Sequence, residues 1–133
     1  MADKLTAGVH HVGLTVGDLE ASVGFFEALG FDRIGGRPDY PSVFVSDGSV
    51  MLTLWQAKAA DPTPFDRTQN IGLHHLCLKM ASSDAVTKAF EIASGYPGAS
   101  AEFAPETVAT KNGTYAMVYE PSGNRIELRH MEG

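Results

Sequence analysis

Four of the five histidines in this chain stand in two adjacent pairs, His10-His11 and His74-His75. Each pair follows a glycine and an apolar residue, Gly8-Val9 and Gly72-Leu73, and leads into an alternating segment. His11 and His75 lie 64 residues apart, close to half of the 133-residue chain. One imidazole per half, at equivalent positions, is how a duplicated fold builds a two-fold site between its halves, and neutral imidazole suits a borderline divalent metal. Glu127 lies near the end of the second half, between Ile126 and Leu128. If the halves pair as the repeat suggests, His11, His75 and Glu127 converge. Two imidazoles and a carboxylate leave open positions on a divalent ion (Fe, Mn, Ni, Co or Zn), which Lewis-acid or oxygen-activating chemistry needs.

The elements that must position these residues can be read twice over. From His10 to Val16, Val12, Leu14 and Val16 share one strand face, and His11, Gly13 and Thr15 share the other. Asp18 has the character of a helix N-cap, with Leu19, Val23, Phe26 and Leu29 at helical spacing and Gly30 as the stop. Phe31 to Ile34, Ser42 to Ser46 and Val50 to Trp55 read as strands, the last two joined by an Asp47-Gly48 turn. The second half repeats the order. Leu73 to Met80 is a strand with His75, Cys77 and Lys79 on one face. A helix opens at Ser82-Ser83-Asp84 and ends at Gly95. Ala101 to Phe103, Thr114 to Tyr119 and Arg125 to His130 are strands, with Pro121-Ser122-Gly123-Asn124 as a turn. By the same alternation His10 and His74 face the core.

The expected fold is α+β. One domain, 1–133, holds two βαβββ modules, 8–57 and 71–131, joined by a polar connection, 58–70, that contains Pro62 and Pro64. One helix covers one face of each set of strands. The other faces, bearing His11, Thr53, His75 and Glu127, are expected to curl into a mixed sheet around a central cavity with the helices outside.

Composition removes several function classes. A net charge of −6 without any basic run argues against nucleic acid and anionic membrane as partners. No apolar stretch approaches a membrane span, and the first residues carry no apolar core of a secretory signal. Cys77 is the only cysteine, which fits a reducing compartment, so a cytoplasmic location is expected. No phosphate-binding glycine loop and no Ser-His-Asp arrangement is readable.

Further candidates follow from strand parity. Thr15, Thr53, Cys77, Lys79, Tyr115 and Arg129 are placed to contact a small substrate, and Met51 and Trp55 to wall its cavity. Glu106 and Lys111 are further polar candidates. No catalytic base is assigned; Glu102 and Glu106 are carboxylates in the appropriate half without a reason to reach the cavity. Cys77 reads as packing rather than as a nucleophile.

The run His11-Val12, Asp18-Leu19-Glu20-Ala21-Ser22, Phe25-Phe26 and Leu29-Gly30-Phe31 resembles the vicinal oxygen chelate superfamily. So do the strand with His75 and the run Tyr119-Glu120-Pro121-Ser122-Gly123-Asn124-Arg125-Ile126-Glu127. That superfamily includes glyoxalase I, extradiol dioxygenases, fosfomycin-resistance enzymes and bleomycin-binding proteins, and the resemblance covers nearly the whole chain. It implies metal-ligand roles for His11, His75 and Glu127. The fourth ligand position holds Thr53, where glyoxalase I-like enzymes place a carboxylate; a hydroxyl neither replaces that charge nor takes up a proton at neutral pH. The three-ligand pattern is closer to the fosfomycin-resistance enzymes and the dioxygenases. The resemblance implies a glyoxalase-like, divalent-metal-dependent enzyme acting on an oxygen-chelating small substrate by isomerisation, epoxide addition or dioxygenation. It also implies a homodimer. The alternative is a metal-free binding protein that sequesters a drug or other ligand.

Overall fold

The computed structural model describes residues 3–133. In the first module β1 (His11–Val16) leads into α1 (Leu19–Ala28), followed by β2 (Asp32–Gly35), β3 (Ser42–Ser46) and β4 (Met51–Gln56). The second contains β5 (Leu76–Lys79), α2 (Ser83–Ser94), β6 (Ser100–Thr107), β7 (Gly113–Tyr119) and β8 (Arg125–Met131). Each module forms its own four-stranded mixed sheet, in the orders β1-β4-β3-β2 and β5-β8-β7-β6. In both, the first and last strands run parallel and the remaining neighbours run antiparallel.

Local chemistry explains the boundaries. Asp18 accepts the amide of Ala21 and Ser82 that of Ala85, so each helix begins on a side-chain cap. Gly30 ends α1 with φ at 101°, in the left-handed region open to glycine. Gly48 and Gly123 take φ of 93° and 91° in the β3–β4 and β7–β8 turns. The helices bury their apolar sides against one face of each sheet. Val23, Phe25 and Phe26 of α1 pack with Leu14, Val16, Val45, Leu52 and Leu54, and Val86, Ala89 and Ala93 of α2 join Leu78, Val118, Ile126 and Leu128. Phe25 is fully buried, so the apolar stripe of α1 is wider than the spacing of Val23 and Phe26 suggests.

The modules meet where α1 lies against the β7–β8 turn. The carboxylate of Glu120, 1% exposed, accepts the Ser22 hydroxyl at 2.6 Å and the amides of Ser122 and Asn124. The Ser122 hydroxyl accepts the Gly17 amide at 2.9 Å, and the Asn124 side-chain amide donates to the Thr15 carbonyl. Phe25 and Tyr96 stack edge to face, and a Cβ at Gly24 would collide with the Tyr96 hydroxyl. No helix among the described residues is long and apolar enough to cross a membrane.

Candidate functional site

The two parallel strand pairs set equivalent frames. Gly13 on β1 lies opposite Thr53 on β4, and Cys77 on β5 lies opposite Glu127 on β8. His11 and His75 each stand two residues ahead of those partners, so the repeat read from the histidines is a repeat of strand register. β5 begins at Leu76 rather than Leu73, and His75 therefore sits immediately ahead of the strand. His10 and His74 are exposed rather than core-facing, because both precede the regular strand that would have turned them inward. Their role is local: Nδ1 of His10 meets Nδ1 of His11 at 2.9 Å, and Nδ1 of His74 meets Nδ1 of His75 at 2.8 Å. When His75 donates in that contact, its Nε2 keeps a lone pair, the arrangement of a metal-ligating histidine.

That Nε2 faces the Glu127 carboxylate at 3.3 Å, and Glu127 is 6% exposed. The second carboxylate oxygen accepts from Nε of Arg129 at 2.5 Å, and this bond raises the guanidinium's pKa further. Arg129 lies over the Tyr115 ring with its Cζ 4.8 Å from the centroid. Tyr115 is itself raised from the usual phenol value, chiefly by the Glu106 carboxylate. Cys77 reaches solvent, yet desolvation around its sulfur, reinforced by the charge of Glu127, pushes the thiol up to about 12. A thiol held this high is a poor nucleophile at neutral pH. Cys77, Lys79 and Arg129 border a cavity of about 770 Å³. An imidazole nitrogen and a desolvated carboxylate oxygen facing each other form a donor pair that fits a borderline divalent cation.

The other frame carries different chemistry. Thr53 is 3% exposed and its hydroxyl accepts the Trp55 indole N–H at 2.9 Å. Trp55 packs edge to face on Tyr40 and tilts against Phe44, while Lys58 sits over Tyr40. Gly13 makes room for this, since a Cβ there would stand 3.1 Å from the Thr53 hydroxyl. Met51 is half-buried on the same strand face. Thr15 borders a separate cavity of about 470 Å³ under Pro62 and Pro64. His11 is exposed. Among the described residues no three His, Cys, Asp or Glu side chains gather closely enough to hold a metal ion. One chain thus brings His75 and Glu127 together and leaves His11 apart from them.

A second polar cluster lies at the other end of β8. Arg125 grips Glu102 through Nε and Nη2, both at 2.8 Å, and holds its carboxyl down at about 2. Tyr119 donates to Glu102 at 2.5 Å and accepts from Arg67 at 2.9 Å. Arg125 shares a strand face with Glu127 and was traceable by parity. Arg67 lies in the connection between modules, where no periodicity marks it.

A family model described as Glyoxalase/Bleomycin resistance protein/Dioxygenase superfamily matches residues 8–128. The chain belongs to this superfamily. Its members among solved structures reproduce the fold over almost the whole chain. A glyoxylase/bleomycin resistance protein/dioxygenase domain from Frankia sp. EAN1pec superposes with a TM-score of 0.80 at 21% identity, over 96% of this chain and 99% of that one. A lactoylglutathione lyase from Agrobacterium tumefaciens gives 0.69 at 20% identity, over 96% of each chain. A mutant of the fosfomycin resistance protein FosX from Listeria monocytogenes, complexed with Mn(II) and 1S,2S-dihydroxypropylphosphonic acid, gives 0.70 at 16% identity, over 93% and 90%. No curated protein matches the sequence. At these identities the structural likeness establishes the superfamily fold, and the activity has to be argued from the residues.

Proposed function

We propose that this chain is a divalent-metal-dependent enzyme of the superfamily whose site is assembled between two copies. His75 and Glu127 of one protomer act with His11 of its partner. The observation that carries this reading is the His75 Nε2 held against the buried Glu127 carboxylate, with His11 in the equivalent frame but out of reach within the same chain. A two-fold dimer that sets the first module of one copy against the second module of the other would complete two equivalent sites. The FosX neighbour's Mn(II) supports metal use in this fold.

A divalent ion held by these residues would supply Lewis-acid polarisation of the substrate's oxygens. The chain's own side chains then divide the remaining work. Arg129 orients the Glu127 carboxylate, and two imidazoles with that carboxylate form a nitrogen and oxygen donor set, which suits Fe, Mn, Co, Ni or Zn. Thr53 spends its hydroxyl on Trp55 and carries no charge, so nothing at the fourth position moves a proton. Addition to an electrophile such as an epoxide, or oxygen chemistry, therefore fits this frame better than glyoxalase-type isomerisation. The aromatic wall of Tyr40, Phe44 and Trp55 favours a second reading, a binding protein that holds an apolar ligand without metal.

Metal content and subunit mixing test the proposal. Protein prepared without chelator is expected to hold one ion per protomer and to gain thermal stability from Mn(II), Fe(II), Ni(II) or Zn(II). His11→Ala and His75→Ala should each abolish both. Mixing the two variants should restore roughly a quarter of the sites, because half the dimers are mixed and each rebuilds one. A site that His11→Ala leaves intact, or mixing that restores nothing while mixed dimers form, would overturn the shared arrangement. Protein that binds no ion favours the second reading.

A further inference from the structure

The cluster around Arg125 has the composition of an oxyanion site. Arg125, Glu127 and Arg129 project from the same face of β8, and Arg125 stands two residues from Glu127, about 6.6 Å along the strand. Its side chain is 12% exposed and that of Arg67 is 30% exposed. Arg67, Tyr119 and Arg125, with Phe65 and Asp66, line a cavity of about 270 Å³. A latch that merely pinned the connection to the second module would have no need of an opening at the guanidinium groups.

The count of hydrogen-bond donors points the same way. Two guanidinium groups meet at the Glu102 carboxylate, while Asp66, the other carboxylate at the cavity, accepts the Thr68 amide and hydroxyl. Each guanidinium offers five N–H donors in a planar fork. Arg125 spends Nε and Nη2 on Glu102 and faces His74 with Nη1 at 3.5 Å. Arg67 spends Nη1 on Tyr119, and its Nη2 stands 3.6 Å from Glu102. The two guanidinium groups keep N–H donors beyond those that Glu102 and Tyr119 take up. Glu102, held in a bidentate grip, is itself a carboxylate seated in the fork and shows what that fork accepts.

We propose that the Arg67–Tyr119–Arg125 cavity binds the anionic head of the substrate, a carboxylate or a phosphoryl-type oxyanion, with Glu102 as the internal group it competes against. The inference rests on the small-molecule reading of this face and deepens it: the substrate is an organic anion, anchored one rung along β8 from Glu127.

The test is anion binding to chelator-treated full-length protein, measured by calorimetry with inorganic phosphate and, separately, malonate. Wild type should bind at least one of them saturably, and the tighter one assigns the head group. Arg67→Gln should weaken that binding at least tenfold, and Arg67→Lys, which keeps the charge and loses the fork, by less. Glu102→Gln should tighten it severalfold by removing the competitor. A latch predicts no gain in anion affinity for Glu102→Gln. The proposal is overturned if neither wild type nor Glu102→Gln binds either anion saturably, or if a folded Arg67→Gln binds as tightly as wild type. Should Arg67→Gln fail to fold, the sign of the Glu102→Gln change decides alone. His75→Ala should leave anion binding unchanged while abolishing metal binding, so failure of the metal reading and failure of this one are separable.

Discussion

The two modules share a backbone and differ in what they mount on it. Gly13 opposite Thr53 and Cys77 opposite Glu127 occupy the same register, each two residues beyond its histidine. Around those positions β4 presents Met51, Thr53 and Trp55, backed by Phe44, whereas β8 presents Arg125, Glu127 and Arg129, backed by Met117 and Tyr119. One frame is apolar and aromatic; the other is charged. The turns differ as well. Asp47 and Glu120 both accept amides of their own turns, but Glu120 is one methylene longer and its second oxygen reaches Ser22 of α1. The same fold carries unlike side chains, an aromatic wall in one module and a row of charges in the other.

The turn contrast gives the largest expected effect. Glu120→Ala removes the shared acceptor of the Ser22 hydroxyl and the Ser122 and Asn124 amides at the module interface and should cost about 3–4 kcal/mol in urea unfolding, whereas Asp47→Ala, in an exposed turn, should cost about 1 kcal/mol or less. Equal losses would remove the asymmetry. Next, Glu127→Ala should lower metal affinity at least about a hundredfold in a competition titration, while Thr53→Val leaves it within about threefold. A site indifferent to Glu127 would break the charged-frame assignment.

Thr53→Glu sharpens the comparison by restoring a carboxylate at the equivalent place. It should tighten metal binding about tenfold, worth about 1.4 kcal/mol, in exchange for the Trp55–Thr53 bond. Trp55→Phe isolates that bond and should cost about 1 kcal/mol of stability with metal affinity unchanged. The smallest effect is pH-dependent. Glu102 titrates below its usual value in the folded protein, so its stabilisation is complete above about 4.5 and disappears as pH falls toward 2. The stability gap between wild type and Glu102→Gln should therefore be below about 1 kcal/mol at pH 7, since the pair is partly exposed, and should close as pH falls through about 2.

Much of this architecture was legible in the chain because local rules govern it. Asp18 and Ser82 cap helices, Gly30 stops one, Gly48 and Gly123 turn strands, and alternation put Glu127 between two buried neighbours. Parity failed at His10 and His74 because alternation holds only inside a strand, and β1 and β5 begin after them. The span of β6, Ser100–Thr107, was underestimated because its pairing with β7 shifts register twice and breaks the apolar alternation. Arg67 had no signal at all; its place depends on how the connection folds back over Tyr119.

Residue order alone determined two equivalent βαβββ modules, the strand face that each candidate shares, and membership of the superfamily, because caps, turns and alternation act over a few residues. Tertiary structure decided that His75 meets Glu127 while His11 does not join them. It also decided that Thr53 serves Trp55, and that Arg67 and Arg125 converge on Glu102. Those outcomes rest on contacts between distant segments, above all the buried Glu120 that fixes one module against the other, and no local pattern encodes the geometry of such an interface.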